Sequence, residues 1–165
     1  MICNKLKRRL ILLCCWLVVS ASSIAQENNA FVVYDDELKN GWVNWSWADV
    51  TLSHPAGGAT PIKVEGGPWS ALAFHHDAFS IESYTKLSFF INGGLEGGQI
   101  LAVKLIVDGK AVDSNYIIQP KAKSWLIAEV PLAEIAGDNK MVDGIWFQAQ
   151  AAALKPYYIT RIQFE

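Results

Sequence analysis

From Phe31 onward the apolar residues fall in short runs, broken about every ten residues by glycine, proline, asparagine or aspartate. Many of these runs alternate with period two, which is the period of an extended chain with one buried side. Leu72, Phe74 and His76 alternate with Ala71, Ala73 and His75. Leu101, Val103, Leu105 and Val107 stand opposite Lys104, and Leu126, Ala128 and Val130 stand opposite Glu129. Ile145, Phe147 and Ala149 stand opposite Trp146, Gln148 and Gln150. The run 100–107 predicts a strand most strongly, since Ile, Leu and Val dominate it and Asp108-Gly109 closes it as a hairpin turn. Asn40-Gly41, Gly66-Gly67-Pro68, Gly93-Gly94 and Asp143-Gly144 mark further turns, and 54–61 is a loop by composition. Only 132–135 reads as a helical turn. About nine short strands with no long helix predict a single all-β domain, a sandwich or a barrel.

The first 25 residues follow another pattern. Lys5, Lys7, Arg8 and Arg9 form a basic head, residues 10–19 form an apolar run too short to span a bilayer, and Ser23-Ile24-Ala25 has small residues at a peptidase spacing. This predicts a signal peptide over 1–25, a mature domain over 26–165, and a secreted or periplasmic location. Cys3, Cys14 and Cys15 all lie in the leader, so the mature domain folds without a disulfide. Leu13 stands where a lipoprotein signal has a small residue, which argues against acylation of Cys14 or Cys15. Removing the leader takes four of the 14 basic residues and none of the 16 acidic ones, leaving a formal charge of −6. An acidic domain with Arg161 as its one arginine is poorly suited to nucleic acid or to anionic polymers.

The candidate chemistry centres on the segment 40–49, Asn-Gly-Trp-Val-Asn-Trp-Ser-Trp-Ala-Asp. Three tryptophans lie within six residues there, and alternation places Trp45, Trp47 and Asp49 on one side. Tryptophan offers a wide apolar face with one N–H donor, so such a cluster is either core filling or a flat platform. Trp42 reads as core, while Trp45 and Trp47 read as lining a cleft. Trp146 with Gln148 and Gln150 reads either as a platform for sugar or as cross-strand packing beside ordinary surface amides. If Leu105, Phe147 and Val130 are core, Lys104, Glu129, Trp146, Gln148 and Gln150 share an outer face. Trp69 and His76 complete the candidate ligand set, His76 by hydrogen-bonding a ligand hydroxyl. The neighbouring His75 and His76 point to opposite sides of a strand, so they cannot chelate one ion together. No nucleophile elbow, phosphate loop or HExxH pattern is present, and Asp35-Asp36 is the one tight acidic pair. Non-catalytic binding of a neutral carbohydrate, a protein-binding adhesive domain, and a small polysaccharide-active enzyme therefore remain as three readings, in that order.

Several elements, in order, resemble the secreted carbohydrate-binding modules with a galactose-binding-like jelly roll. They are Val33-Tyr34-Asp35-Asp36, Asn40 through Trp47, Trp69 through His76, Lys86 through Gly94, Trp125 through Leu132, and Tyr157 through Ile162. The resemblance implies a β-sandwich that binds sugar without catalysis and acts as a monomer. It also implies a structural calcium ion near Asp35 and Asp36. Thr160 and Arg161 stand where an acidic ligand from the last strand is expected, which departs from that pattern.

Overall fold

The structure is a computed structural model and describes residues 30–150 and 152–165. The leader and its cleavage site lie outside the described residues. Thirteen strands and one short helix follow in chain order: β1 (Phe31–Asp35), β2 (Glu37–Leu38), β3 (Val43–Asn44), β4 (Asp49–Thr51), β5 (Ile62–Gly66), β6 (Ala71–Ser80), β7 (Lys86–Asn92), β8 (Leu101–Val107), β9 (Lys110–Ala111), β10 (Ile117–Ile118), β11 (Trp125–Pro131), α1 (Leu132–Ile135), β12 (Met141–Ala149) and β13 (Leu154–Phe164). All the pairings are antiparallel. Among the described residues no helix is long and apolar enough to cross a membrane.

Two sheets form. Sheet A runs β11-β7-β13-β1-β2, with β5 also on β13 and β4 on β5. Sheet B runs β10-β8-β12-β6-β3, with β9 on β8. The last strand is long enough to serve two partners on one edge, β5 along its first half and β1 along its second. Between the halves Arg161 takes a φ of 49°, and the register of β13 against β7 shifts there. A left-handed residue in a strand is the signature of a bulge that re-aims the chain.

The predicted alternation carries the core. Leu72, Phe74, Leu101, Val103, Leu105, Ile145 and Phe147 of sheet B are buried against Leu87, Phe89, Ile91, Tyr157, Ile159, Ile162 and Phe164 of sheet A. Phe89 meets Phe147 edge to face across the two layers, at 5.0 Å between centroids. Trp42 is 3% exposed. It sits among Phe31, His76, Phe79 and Phe164, with centroids 5.1–6.3 Å away. Asp108 (φ 49°) and Gly109 (φ 70°) make the tight hairpin turn that their sequence predicts.

Three sequence expectations change. Asp143-Gly144 lies inside β12 at a register shift rather than in a turn, because pairing with both β6 and β8 carries the strand through it. Asp49 does not share a face with Trp45 and Trp47, since it belongs to β4 of sheet A, opposite Glu65. Glu129 does not share an outer face with Trp146, since β11 belongs to sheet A and β12 to sheet B.

Candidate functional site

The outer side of sheet B carries a row of aromatic rings. In β12, Trp146 is paired with Ala73 on one side and Lys104 on the other, and Gln148 with Ala71 and Ala102. The small residues beneath are the local reason that large rings fit: Ala71 and Ala73 are fully buried although their strand faces outward there. What covers them is the segment after β3. Trp45 N–H donates to Ala73 O at 2.9 Å, and Trp47 N–H donates to Ala71 O at 3.1 Å. Ser46 turns inward between them, its hydroxyl accepting from Ala73 N at 2.9 Å and donating to Asn44 Oδ1 at 2.6 Å. Trp45 and Trp47 lie on the same outer side, one on His75 and the other on Trp146.

Each ring is held by a neighbour. Trp45 lies flat on His75, 3.8 Å between centroids and 11° between planes. Trp47 meets Trp146 edge to face at 4.9 Å and 86°. The indole N–H of Trp47 donates to Trp69 O at 2.8 Å, and Gln148 Nε2 donates to the same oxygen at 3.3 Å. Trp69 itself has a φ of 64°, a conformation that costs a bulky residue about 1–3 kcal/mol. It aims one carbonyl at two donors, and those bonds lock the edge of Trp47 and the amide of Gln148. Gln150 Nε2 donates back to Gln148 O at 3.4 Å, and Gln150 O accepts from Trp69 N at 3.4 Å. Lys104 Nζ donates to Ser114 O at 3.4 Å.

Trp45 is 60% exposed, Trp69 54% and Trp47 46%, so the faces not used for packing are open to solvent. A side of open indole faces fringed by amides and one ammonium can stack the C–H faces of a flat polar ligand and hydrogen-bond its edges.

The structure brings Trp45, Trp47, Trp69, Trp146, Gln148 and Gln150 together. His76 it does not. That side chain is on the inner side of β6, edge to face with Phe31 at 5.4 Å, and its Nε2 lies 2.9 Å from Asn40 O. The histidine on the platform is His75, and its alternation with Ala71 and Ala73 was the available signal. Sequence reasoning did not see that it would lie under Trp45, because that stacking depends on β3 pairing with β6.

Asp35 and Asp36 are engaged by groups of the protein itself. Asp36 has a φ of 60°; its carboxylate accepts from Thr60 N at 3.0 Å, which holds its pKa below the usual carboxylate value. Its carbonyl accepts the Ser53 hydroxyl at 2.6 Å, while the Tyr34 hydroxyl beside it donates to Thr60 O at 2.6 Å. The Asp35 carboxylate faces Arg161 Nε at 3.9 Å. Among the described residues no group of three or more His, Cys, Asp or Glu converges on one point.

A two-sheet antiparallel sandwich with an aromatic platform on one outer side defines the architectural class. The fold is that of family 29 carbohydrate-binding modules. One variant of the module CBM29-2 superposes with a TM-score of 0.62 at 15% identity, over 82% of this chain and 91% of that one. A second, solved with cellulohexaose, gives 0.61 at 16% identity, over 82% and 89%. A third, solved with mannohexaose, gives 0.62 at 13% identity, over 82% and 89%. In sequence, the chain is 26% identical over 133 residues to an endoglucanase of Dictyostelium discoideum, covering 70% of this chain and 18% of that enzyme. No protein-family profile matches the chain.

Proposed function

We propose that this chain binds a neutral oligo- or polysaccharide without cleaving it, through the outer side of sheet B. The observation that carries the reading is the arrangement of Trp45, Trp47, Trp69 and Trp146. Trp45 rests on His75 and Trp47 on Trp146 and on the Trp69 carbonyl, while Trp45, Trp47 and Trp69 keep about half of their surface or more open to solvent. A surface already held in its binding geometry loses little side-chain entropy on association. Gln148, Gln150 and Lys104 supply hydrogen bonds at the ring edges. The shared fold supports the same reading, since relatives of that fold were solved with cellulohexaose and mannohexaose.

The protein acts in this reading as a secreted or periplasmic monomer beginning at Gln26, and intact-mass measurement of the exported protein tests that start. Titration of cellohexaose and mannohexaose into the domain, beside a glycan array competed with free sugar, tests the function. Binding that is lost in Trp45→Ala and Trp47→Ala supports the platform. The absence of binding to any neutral glycan overturns it, and release of new reducing ends from a bound polysaccharide would move the assignment to an enzyme.

A further inference from the structure

The side of the molecule opposite the platform carries a second set of open rings. Antiparallel pairing places Trp125 of β11, Asn92 of β7 and Tyr158 of β13 in one cross-strand row on the outer side of sheet A, continued by Lys63 of β5. Trp125 is 44% exposed. The row borders a cavity of about 240 Å³ whose far wall is Leu95 and Lys123. A second cavity of about 200 Å³ adjoins it, sharing Gly94, Leu95 and Tyr158.

The walls are built rather than incidental. Gly93 N donates to Lys121 O at 2.9 Å, Lys123 N to Gly94 O at 2.7 Å, and Gly97 N to Gly93 O at 2.9 Å, which ties the two loops beside the row together. Gly94 has a φ of 66°, and a Cβ there would fall 2.2 Å from Pro156 O, so this position accepts glycine alone. Asn92 Oδ1 accepts from Gly94 N at 2.9 Å, which fixes the orientation of its amide. Asn92, Trp125 and Tyr158 all line the larger cavity, so an amide, an indole and a phenol ring border one space. The Tyr158 ring lies against His54, 5.5 Å between centroids and tilted by 37°.

Resting on the carbohydrate-binding reading above, we propose that this row is a second site for a neutral glycan, which makes the domain bivalent. Two rings flanking an oriented amide offer stacking faces and hydrogen-bonding groups to one extended ligand. Most of the charge at the row is balanced: Lys63 pairs with Glu65 and Lys155 with Glu96, each at 2.7 Å, which leaves Lys123 on the far wall as a single cation beside hydroxyl and N–H groups. The two sites lie on opposite sheets, so one molecule can hold two chains of a polymer at once.

The test titrates cellohexaose and mannohexaose into four proteins: wild type, the platform double variant Trp45→Ala/Trp47→Ala, Trp125→Ala, and the triple variant. Circular dichroism and melting establish that each is folded. Trp125 is at an exposed edge-strand position, so its removal leaves the fold intact. The expected results are two hexaoses per wild-type chain, residual binding in the platform variant, one hexaose per chain in Trp125→Ala, and none in the triple variant. A wild-type stoichiometry of one, abolished by the platform variant and unchanged by Trp125→Ala, overturns the second site and leaves the first standing. No binding by wild type removes both. Concentration-dependent dimerisation that Trp125→Ala abolishes also overturns it, because the row would then be covered by a second copy of the chain.

Discussion

Trp42 and Trp45 are three residues apart, and their truncations should have opposite consequences. Trp42 is 3% exposed and packed in an aromatic cluster with Phe31, His76, Phe79 and Phe164. Truncating a buried aromatic to alanine costs about 3–5 kcal/mol, because both the transfer free energy and the cavity count. For a domain of this size that lowers the melting temperature by roughly 10–20 °C. Trp45 keeps 60% of its surface open and rests one face on His75. A tryptophan buries about 200 Å², so a ligand that covers the open part removes roughly 120 Å² from water, worth about 3 kcal/mol at ~25 cal/mol/Å². Trp45→Ala should therefore weaken glycan binding about 100-fold while shifting melting by a few degrees at most. Thermal unfolding followed by circular dichroism and calorimetric titration of cellohexaose and mannohexaose read the two effects separately. If Trp45→Ala unfolds the domain, or Trp42→Ala leaves melting unchanged and abolishes binding, the assignment of inner and outer faces is reversed and the reasoning fails. Correlated loss of both properties in both variants would refute it as well, since a platform distinct from the core requires them to part.

Three further outcomes follow from single groups. Among the described residues the fully buried Tyr157 hydroxyl has no hydrogen-bond partner, and burial pushes its pKa far up; Tyr157→Phe should be neutral or stabilising by up to about 1 kcal/mol in urea denaturation, and a loss larger than that would reveal a partner for the hydroxyl. Asp36, through Thr60 N–H, and Glu165, through Gln163, Lys86 and Ser88 against the opposing effect of burial, have folded-state pKa values below their ordinary ones. Groups of that sign stabilise the fold above the unfolded carboxylate pKa of about 4 and lose that contribution as pH falls below it, so the urea midpoint should hold from pH 7 to pH 5 and decline toward pH 3; a midpoint that rises on acidification contradicts the assignment. Addition of a chelator should shift the melting temperature little, because Asp36 O accepts the Ser53 hydroxyl, the Asp36 carboxylate accepts from Thr60 N and Asp35 faces Arg161; a drop of many degrees would establish a bound cation that these residues hold.

Period-two alternation alone decided a great deal. It separated Leu72 and Phe74 from Ala71 and Ala73, put Trp146, Gln148 and Gln150 on the side away from Phe147, and placed His75 and His76 on opposite sides of one strand. Those assignments hold because a strand presents successive side chains to opposite faces whatever it pairs with. Strand pairing decided the rest. Alternation says nothing about which of two sheets a strand joins, so Glu129 and Trp146 looked like neighbours although they lie on opposite outer sides. Nor does it show where an extended segment changes sheets, which is why Asp49 parted from Trp45 and Trp47. Which histidine belongs to the platform depended on which side of β6 the chain after β3 came to cover, and that long-range pairing put Trp45 on His75 and left His76 among the core aromatics. The clamp at Trp69 O is likewise tertiary, since a left-handed tryptophan is strained by itself and here sits where Trp47 and Gln148 both donate to its carbonyl.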